Sequence, residues 1–303
     1  MKIIKGEGVT KYIHDDGSET VIKTTQSMEY HANSLNDDFV MTTVDRNKYS
    51  ILISTSVGCQ MGCKMCGINP NTFKPLNSGQ IIANVKDAVI HHDFNVGSLS
   101  GKYAKLCFMG MGESTLKSTN FSTVPASLIR FLTNKGFAKG IDSIDYGTIL
   151  PKNRDKVWVK RVISLNKFMR EQYEVNPANN HESLVRVFFS LHQLDFDKRH
   201  DLIPMGDHIT TDLTDLIDAD IEVIFHQTFI KGVNDSSNDV LALQDWFTKR
   251  PYLQLRILRY NTNGVYEESP YRELAWRVLS SLSNVKFQVS PGEEVNSACG
   301  QFY

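Results

Sequence analysis

Six short runs rich in β-branched and aromatic residues recur along this chain, at residues 50–55, 105–109, 143–147, 185–191, 222–228 and 254–259. Most are followed by a segment with helical spacing, and the predicted helices cover residues 78–92, 123–135, 155–173, 237–249 and 270–282. In the first helix Ile81, Ile82, Val85 and Val89 make one apolar stripe and Ser78 can cap it; Gly136 ends the second. Strand and helix in alternation favour a parallel sheet with right-handed crossovers. Six units fit a partial (β/α)6 barrel, with an open doubly wound sheet as the competitor.

Residues 1–49 read differently. An Asp16-Gly17 turn between apolar stretches predicts a β-hairpin over residues 11–24, and the rest is polar and irregular. The expected organisation is a small N-terminal β extension at 1–49, a barrel at 50–290 and a tail at 291–303 carrying Cys299.

Composition excludes several classes. With 33 Lys and Arg against 34 Asp and Glu and 41% hydrophobic residues, the chain reads as an ordinary globular protein rather than a disordered, collagen-like or coiled-coil one. No apolar run approaches the roughly 20 residues that span a bilayer, and the start lacks a signal peptide's apolar stretch, so no membrane contact and a cytoplasmic location are expected. A net charge of -1 leaves nucleic-acid binding to local patches. Residues 152–170 hold seven Lys or Arg against Asp155 alone, whereas residues 207–222 hold six acidic residues and no Lys or Arg. The basic run could track phosphates or be a solvated helix face.

Five cysteines are present, and Cys59, Cys63 and Cys66 fall within eight residues of one loop after the first predicted strand. Three thiolates at this spacing can hold three irons of a 4Fe-4S cubane and leave the fourth open; half of a structural zinc site is the plainer alternative. After the second strand comes Gly110-Met-Gly112-Glu113, where glycines allow close backbone approach and a carboxylate projects from the strand's C-terminal end. Ser190 and His192 share a face at the end of the fourth strand, and the sixth runs into Asn261. All of these fall just after strands, which places them around one mouth of the barrel. Cys299 lies among small residues, suited either to a mobile nucleophile or to an incidental surface thiol.

These residues together resemble the radical S-adenosylmethionine (SAM) enzymes, and within them the RlmN/Cfr group, which methylates an adenine ring carbon in RNA. The resemblance lies in residues 54–66 (STSVGCQMGCKMC), 108–113 (FMGMGE), 189–205 (FSLHQLDFDKRHDLIPM), Gly232-Val-Asn-Asp, Asn261 and 292–301 (GEEVNSACGQ), in family order. It implies that Cys59, Cys63 and Cys66 hold a 4Fe-4S cluster, that Gly112, Glu113, Ser190, His192 and Asn261 hold SAM, and that Cys299 is methylated by one SAM. A second SAM, cleaved reductively, yields the radical that activates this methyl for addition to the adenine. Glu19 matches the residue that takes the proton from the ring carbon. Implied partners are tRNA or rRNA, or a nucleotide, and an electron donor such as flavodoxin or ferredoxin. A radical SAM reaction on a smaller nucleotide or metabolite, and a non-catalytic RNA- or protein-binding homologue, are the rival expectations. Three positions depart from the pattern: Leu52 stands where the family has a second catalytic cysteine, Met65 where it has an aromatic residue, and Ile144-Asp-Tyr-Gly147 where it has a hydroxyl-rich turn. The group's N-terminal RNA-binding domain has no counterpart in residues 1–49. Cys107, the remaining cysteine, is expected in the core.

Overall fold

The computed structural model describes residues 1–24, 28–32, 39–43, 47–178, 183–209, 211–262, 264–289 and 295–296. Strands β1 (Lys2–Gly6), β2 (Val9–Ile13) and β3 (Glu19–Lys23) form an antiparallel meander, and β4 (Met28–Ala32) pairs with β5 (Phe39–Thr43). The β2–β3 connection is the expected Asp-Gly turn. Gly17 adopts a φ of +86°, and the Asp16 carboxylate accepts hydrogen bonds from the Ser18 amide and hydroxyl.

Alternation then begins. Strand β6 (Lys48–Ile53) leads through the small β7 (Ser56–Val57) and β8 (Lys74–Pro75) ladder into helix α1 (Ser78–Asn95). The units β9 (Tyr103–Phe108) with α2 (Thr123–Asn134), β10 (Gly140–Thr148) with α3 (Trp158–Gln172), and β11 (Val185–Ser190) with α4 (Phe196–Leu202) and α5 (Thr211–Asp218) follow. Last come β12 (Val223–Gln227) with α6 (Ser237–Thr248), β13 (Gln254–Leu258) with α7 (Arg272–Leu279), and β14 (Val285–Val289). The strands lie in the order β1-β2-β3-β6-β9-β10-β11-β12-β13-β14-β4-β5. From β6 to β14 every neighbouring pair is parallel and the order never reverses. A doubly wound sheet needs a reversal point, so the alternative falls and the partial barrel stands, with β14 as an additional parallel strand.

Three local expectations are corrected. Outside the hairpin, residues 1–49 are not all irregular, since β1, β4 and β5 are strands held by their sheet partners. The α1 cap is Asn77 rather than Ser78: Asn77 accepts the Gln80 amide while the Gln80 side chain accepts the Asn77 amide, closing a capping box. Helix α3 starts at Trp158 rather than Asp155, because the Asp155 carboxylate and carbonyl accept the Val157 and Trp158 amides and fold a turn before it.

One face of the sheet packs on the helices. Ala104, Leu106 and Phe108 of β9 join Val85 and Val89 of α1 and Leu128 and Leu132 of α2 in one core. Residues of opposite parity face inward. There Asp145 on β10 accepts bidentate hydrogen bonds from Arg186 on β11, both at 2.8 Å, and pairs with Lys105 on β9 at 2.8 Å. Burial alone would raise the Asp145 carboxyl, but the two cations outweigh it and hold it well below the usual range. Cys107 has the same parity as Lys105, is in register with Leu52, and is buried as expected, which pushes its thiol up to about 11. Among the described residues no helix is long and apolar enough to cross a membrane.

Candidate functional site

The C-terminal ends of the parallel strands converge on one cavity of about 160 Å³. The loop after β6 brings Cys59, Cys63 and Cys66 to it. Two features shape this loop. Gly58 and Gly62 take φ values of +64° and +63°, and at Gly58 a Cβ would collide with Thr72. Two segments across the mouth then clamp it: the Lys64 amide donates to the carbonyl of Leu202 at the end of α4 at 2.9 Å, and the hydroxyl of Tyr260, just after β13, to the Met65 carbonyl at 3.2 Å. Met65 and Cys63 pack against Leu202, Ile203 and Tyr260, so an apolar side chain at position 65 serves this contact.

Gly112, at φ +96°, closes the turn after β9 onto the strand entering the cysteine loop; a Cβ there would meet the Thr55 and Ser56 hydroxyls. Glu113 follows, buried. Its carboxylate accepts from the Thr115 amide at 3.1 Å, the Thr115 hydroxyl at 2.7 Å and the Ile149 amide at 3.0 Å, stapling the β9 loop to the β10 loop. Burial raises its pKa despite these bonds. Ile149, and not the hydroxyl-rich turn the family pattern expects, therefore supplies the cavity wall after β10.

His192 ends β11 in the left-handed region at φ +54°. Its Nδ1 accepts from the Thr228 amide at 3.2 Å and lies 3.1 Å from the Thr228 hydroxyl. An amide can only donate, so the ring proton sits on Nε2. Burial, and then Arg199, lower the His192 pKa to about 3, which keeps the ring neutral. The strained turn is held by Asn234, whose side-chain amide donates to the His192 carbonyl at 2.6 Å and the Thr228 carbonyl at 2.8 Å, and whose oxygen accepts the Ile230 amide.

Arg199 is buried and donates to the Leu191, Ser190, Ile149 and Asp207 carbonyls, tying the β10 and β11 loops together. Neither Asn234 nor Arg199 was assigned a role from sequence, although both lie in quoted motifs. A buried Arg among strand-end loops is legible only once the carbonyls it gathers are known. His226 was also missed. It lines the cavity from β12, its ring is held neutral chiefly by burial, and its buried Nε2 has no hydrogen-bond partner among the described residues.

Thus Cys59, Cys63, Cys66, Gly112, Glu113, Ser190, His192 and Asn261 all line the one cavity. Glu19 does not: it is buried on β3, 2.8 Å from Lys11, whose ammonium also donates to the Asn296 carbonyl at 3.0 Å. Cys299 lies outside the described residues.

No protein-family model matches the chain. The probable dual-specificity RNA methyltransferase RlmN of Heliobacterium modesticaldum is 26% identical over 272 residues, 84% of this chain and 63% of that protein. The ribosomal RNA large subunit methyltransferase Cfr of Staphylococcus aureus is 23% identical over 274 residues, 84% of this chain and 69% of that protein. The chain is a distant homologue of the RlmN/Cfr radical SAM methyltransferases. A radical SAM methyltransferase from Sphaerobacter thermophilus shares the fold, with a TM-score of 0.62 at 17% identity over 99% of this chain and 80% of that one. The homologue described here spans 63% of the length of its Heliobacterium relative.

The homology implies SAM and an iron–sulfur cluster, and the cavity's donor set bears on both. Among the described residues no three of His, Cys, Asp and Glu converge on a single metal ion, whereas a 4Fe-4S cubane takes one thiolate per iron. What the three cysteines share is a cavity wall and one another's field: burial raises the Cys63 thiol well above its usual value, and the Cys66 and Cys59 charges add to the rise. Crowded thiols of this kind gain from positive iron between them, and Arg199 already acts on Cys63 in that direction. Beside them lie a neutral Nε2–H donor, a carboxylate and an apolar wall of Met109, Ile149 and Leu258, a set that fits a zwitterionic ligand with an apolar body. The residues present fit both groups.

Proposed function

We propose that this chain is a radical SAM methyltransferase that passes a methyl group through Cys299 to an adenine ring carbon in RNA. What supports the reading is the convergence on one cavity of eight residues picked from four separate stretches of sequence. Cys59, Cys63 and Cys66 would hold a 4Fe-4S cluster, which when bound supplies the electron for reductive SAM cleavage. Glu113 and the main chain at Gly112 would take the charged amino end of SAM, and Ser190, Asn261 and the His192 Nε2–H its remaining polar groups. Met109 and Leu258 keep water from the reacting end. Glu19 would receive the ring proton only from a base that reaches β3, because it lies outside the cavity, paired with Lys11 at 2.8 Å.

On this reading residues 50–290 are the catalytic barrel, 1–49 an extension and 291–303 the tail that delivers Cys299. The enzyme would work in the cytoplasm, where thiols stay reduced, with a flavodoxin or ferredoxin as electron donor. A second reading, radical SAM chemistry on a smaller nucleotide, is favoured by Leu52, a half-buried apolar side chain where the family pattern has a thiol.

The test is intact-protein mass spectrometry after anaerobic reconstitution, with SAM cleavage assayed in parallel. A methyl group on Cys299, lost in Cys299→Ala, is the expected result. SAM cleavage without that methyl group transfers the assignment to the second reading, and no cleavage under strong reductant points to a non-catalytic homologue.

A further inference from the structure

The one basic stretch of the chain keeps most of its charge at the surface. Lys152, Lys156, Lys160, Arg161 and Lys167 are all exposed, and none makes an ion pair among the described residues. Arg154 is the exception, held by Asp207 and Asp212. Folding therefore engages Arg154 and leaves those five side chains facing water.

Their position follows from the chain path. Ile149 lines the cavity, Pro151 bridges to Gly206, and the Lys152 amide donates to the Met205 carbonyl at 3.1 Å. Three residues span at most about 10 Å, so Lys152 stands at the cavity rim. The Asp155 amide then docks on the Thr115 carbonyl at 2.9 Å, next to the exposed Lys117, before α3 carries Lys160, Arg161 and Lys167 away from the mouth. The helix start also gathers positive charge. Its first turn has no acidic residue, and although the Asp155 carboxylate accepts the Val157 amide just before it, Lys156, Lys160 and Arg161 outnumber that one charge at the positive end of the helix dipole. On α5, which packs against α3, Asp215 and Asp218 are exposed, as is Asp220 just after it, which bounds the track on that side.

We infer that residues 152–156 and the first turns of α3 bind the phosphate backbone of single-stranded RNA whose modified base enters the cavity. This rests on the RNA-substrate reading above. A base held in the cavity leaves its backbone at the rim, where the track begins.

The probe is a fluorescein-labelled 20-nucleotide single-stranded RNA containing adenines, with anisotropy measured across a salt series. The variant is Lys156→Gln/Lys160→Gln/Arg161→Gln, and the control Lys2→Gln/Lys5→Gln/Lys135→Gln removes equal charge far from the mouth. Each lost phosphate contact lowers the log–log salt slope by about 0.7, so the variant should lose about 2 in slope and about 100-fold in affinity at 0.1 M salt. Its melting midpoint should stay or rise, since charge leaves the positive end of a helix dipole. Equal loss in the control, or an unchanged slope in the variant, overturns the track. So does intact RNA binding by the variant with lost binding to an acidic flavodoxin, which gives the surface to a protein. SAM cleavage, assayed on the same proteins, separates failure of the track from failure of the enzymatic reading.

Discussion

The middle of the barrel and the mouth of the barrel are built from the same strands, yet they treat polar groups in opposite ways. In the middle, Asp145, Arg186 and Lys105 saturate one another within 2.8 Å, and the carboxyl is held in its charged state. At the mouth, Glu113 is shifted toward its neutral form, His192 and His226 are held neutral, and the His226 Nε2 has no partner. Saturated charge specifies how strands pair; unspent hydrogen-bonding capacity is what a ligand can use.

The largest effect should come from the saturated end. Asp145→Asn leaves Arg186 buried without its bidentate partner and should cost about 3–5 kcal/mol in urea unfolding. Asp145→Leu with Arg186→Met should recover much of that loss. Since the folded pKa of Asp145 is depressed, its contribution is present above the unfolded carboxylate value and disappears only as pH falls through the lower folded value. Wild type and variant should therefore differ by a constant amount from pH 8 to 5 and converge in strong acid. A cost under about 1 kcal/mol, within the range of an exposed pair, would break the contrast.

A smaller effect is expected where the two regimes meet. Asn234→Ala strips the His192 and Thr228 carbonyls of donors and should cost about 1–3 kcal/mol. It should also weaken SAM binding by calorimetry, because the left-handed turn that aims Nε2 is released. Stability lost with SAM affinity intact would detach Asn234 from the site.

The smallest expected effect is an absence of pH dependence. With a His192 pKa of about 3, the ring stays neutral across the working range, and it should change SAM affinity less than about twofold between pH 8 and 5. An inflection near pH 6.5 that vanishes in His192→Gln would show a solvated imidazole instead.

Much of the fold was legible along the chain because it rests on local periodicity. The runs at 50–55 and 185–191 became β6 and β11, and the Asp16-Gly17 turn became the β2–β3 connection, since backbone sterics and side-chain alternation act within a few residues. The short β1, β4, β5, α4, α5 and β14 were overlooked, since segments of eight residues or fewer carry too little periodic signal and are held by what they pack on. The same division holds for the site. Cysteines at fixed spacing, Gly112-Glu113 and Ser190 to His192 stand out in sequence, because neighbouring residues on one loop or strand end must travel together. Their gathering into one cavity, the tautomer of His192, the carbonyls collected by Arg199 and the unpartnered His226 are decided by residues 36 to 50 positions apart in the longer of these hydrogen bonds. Contacts of that range depend on the order and curvature of the sheet, which no stretch of sequence holds by itself.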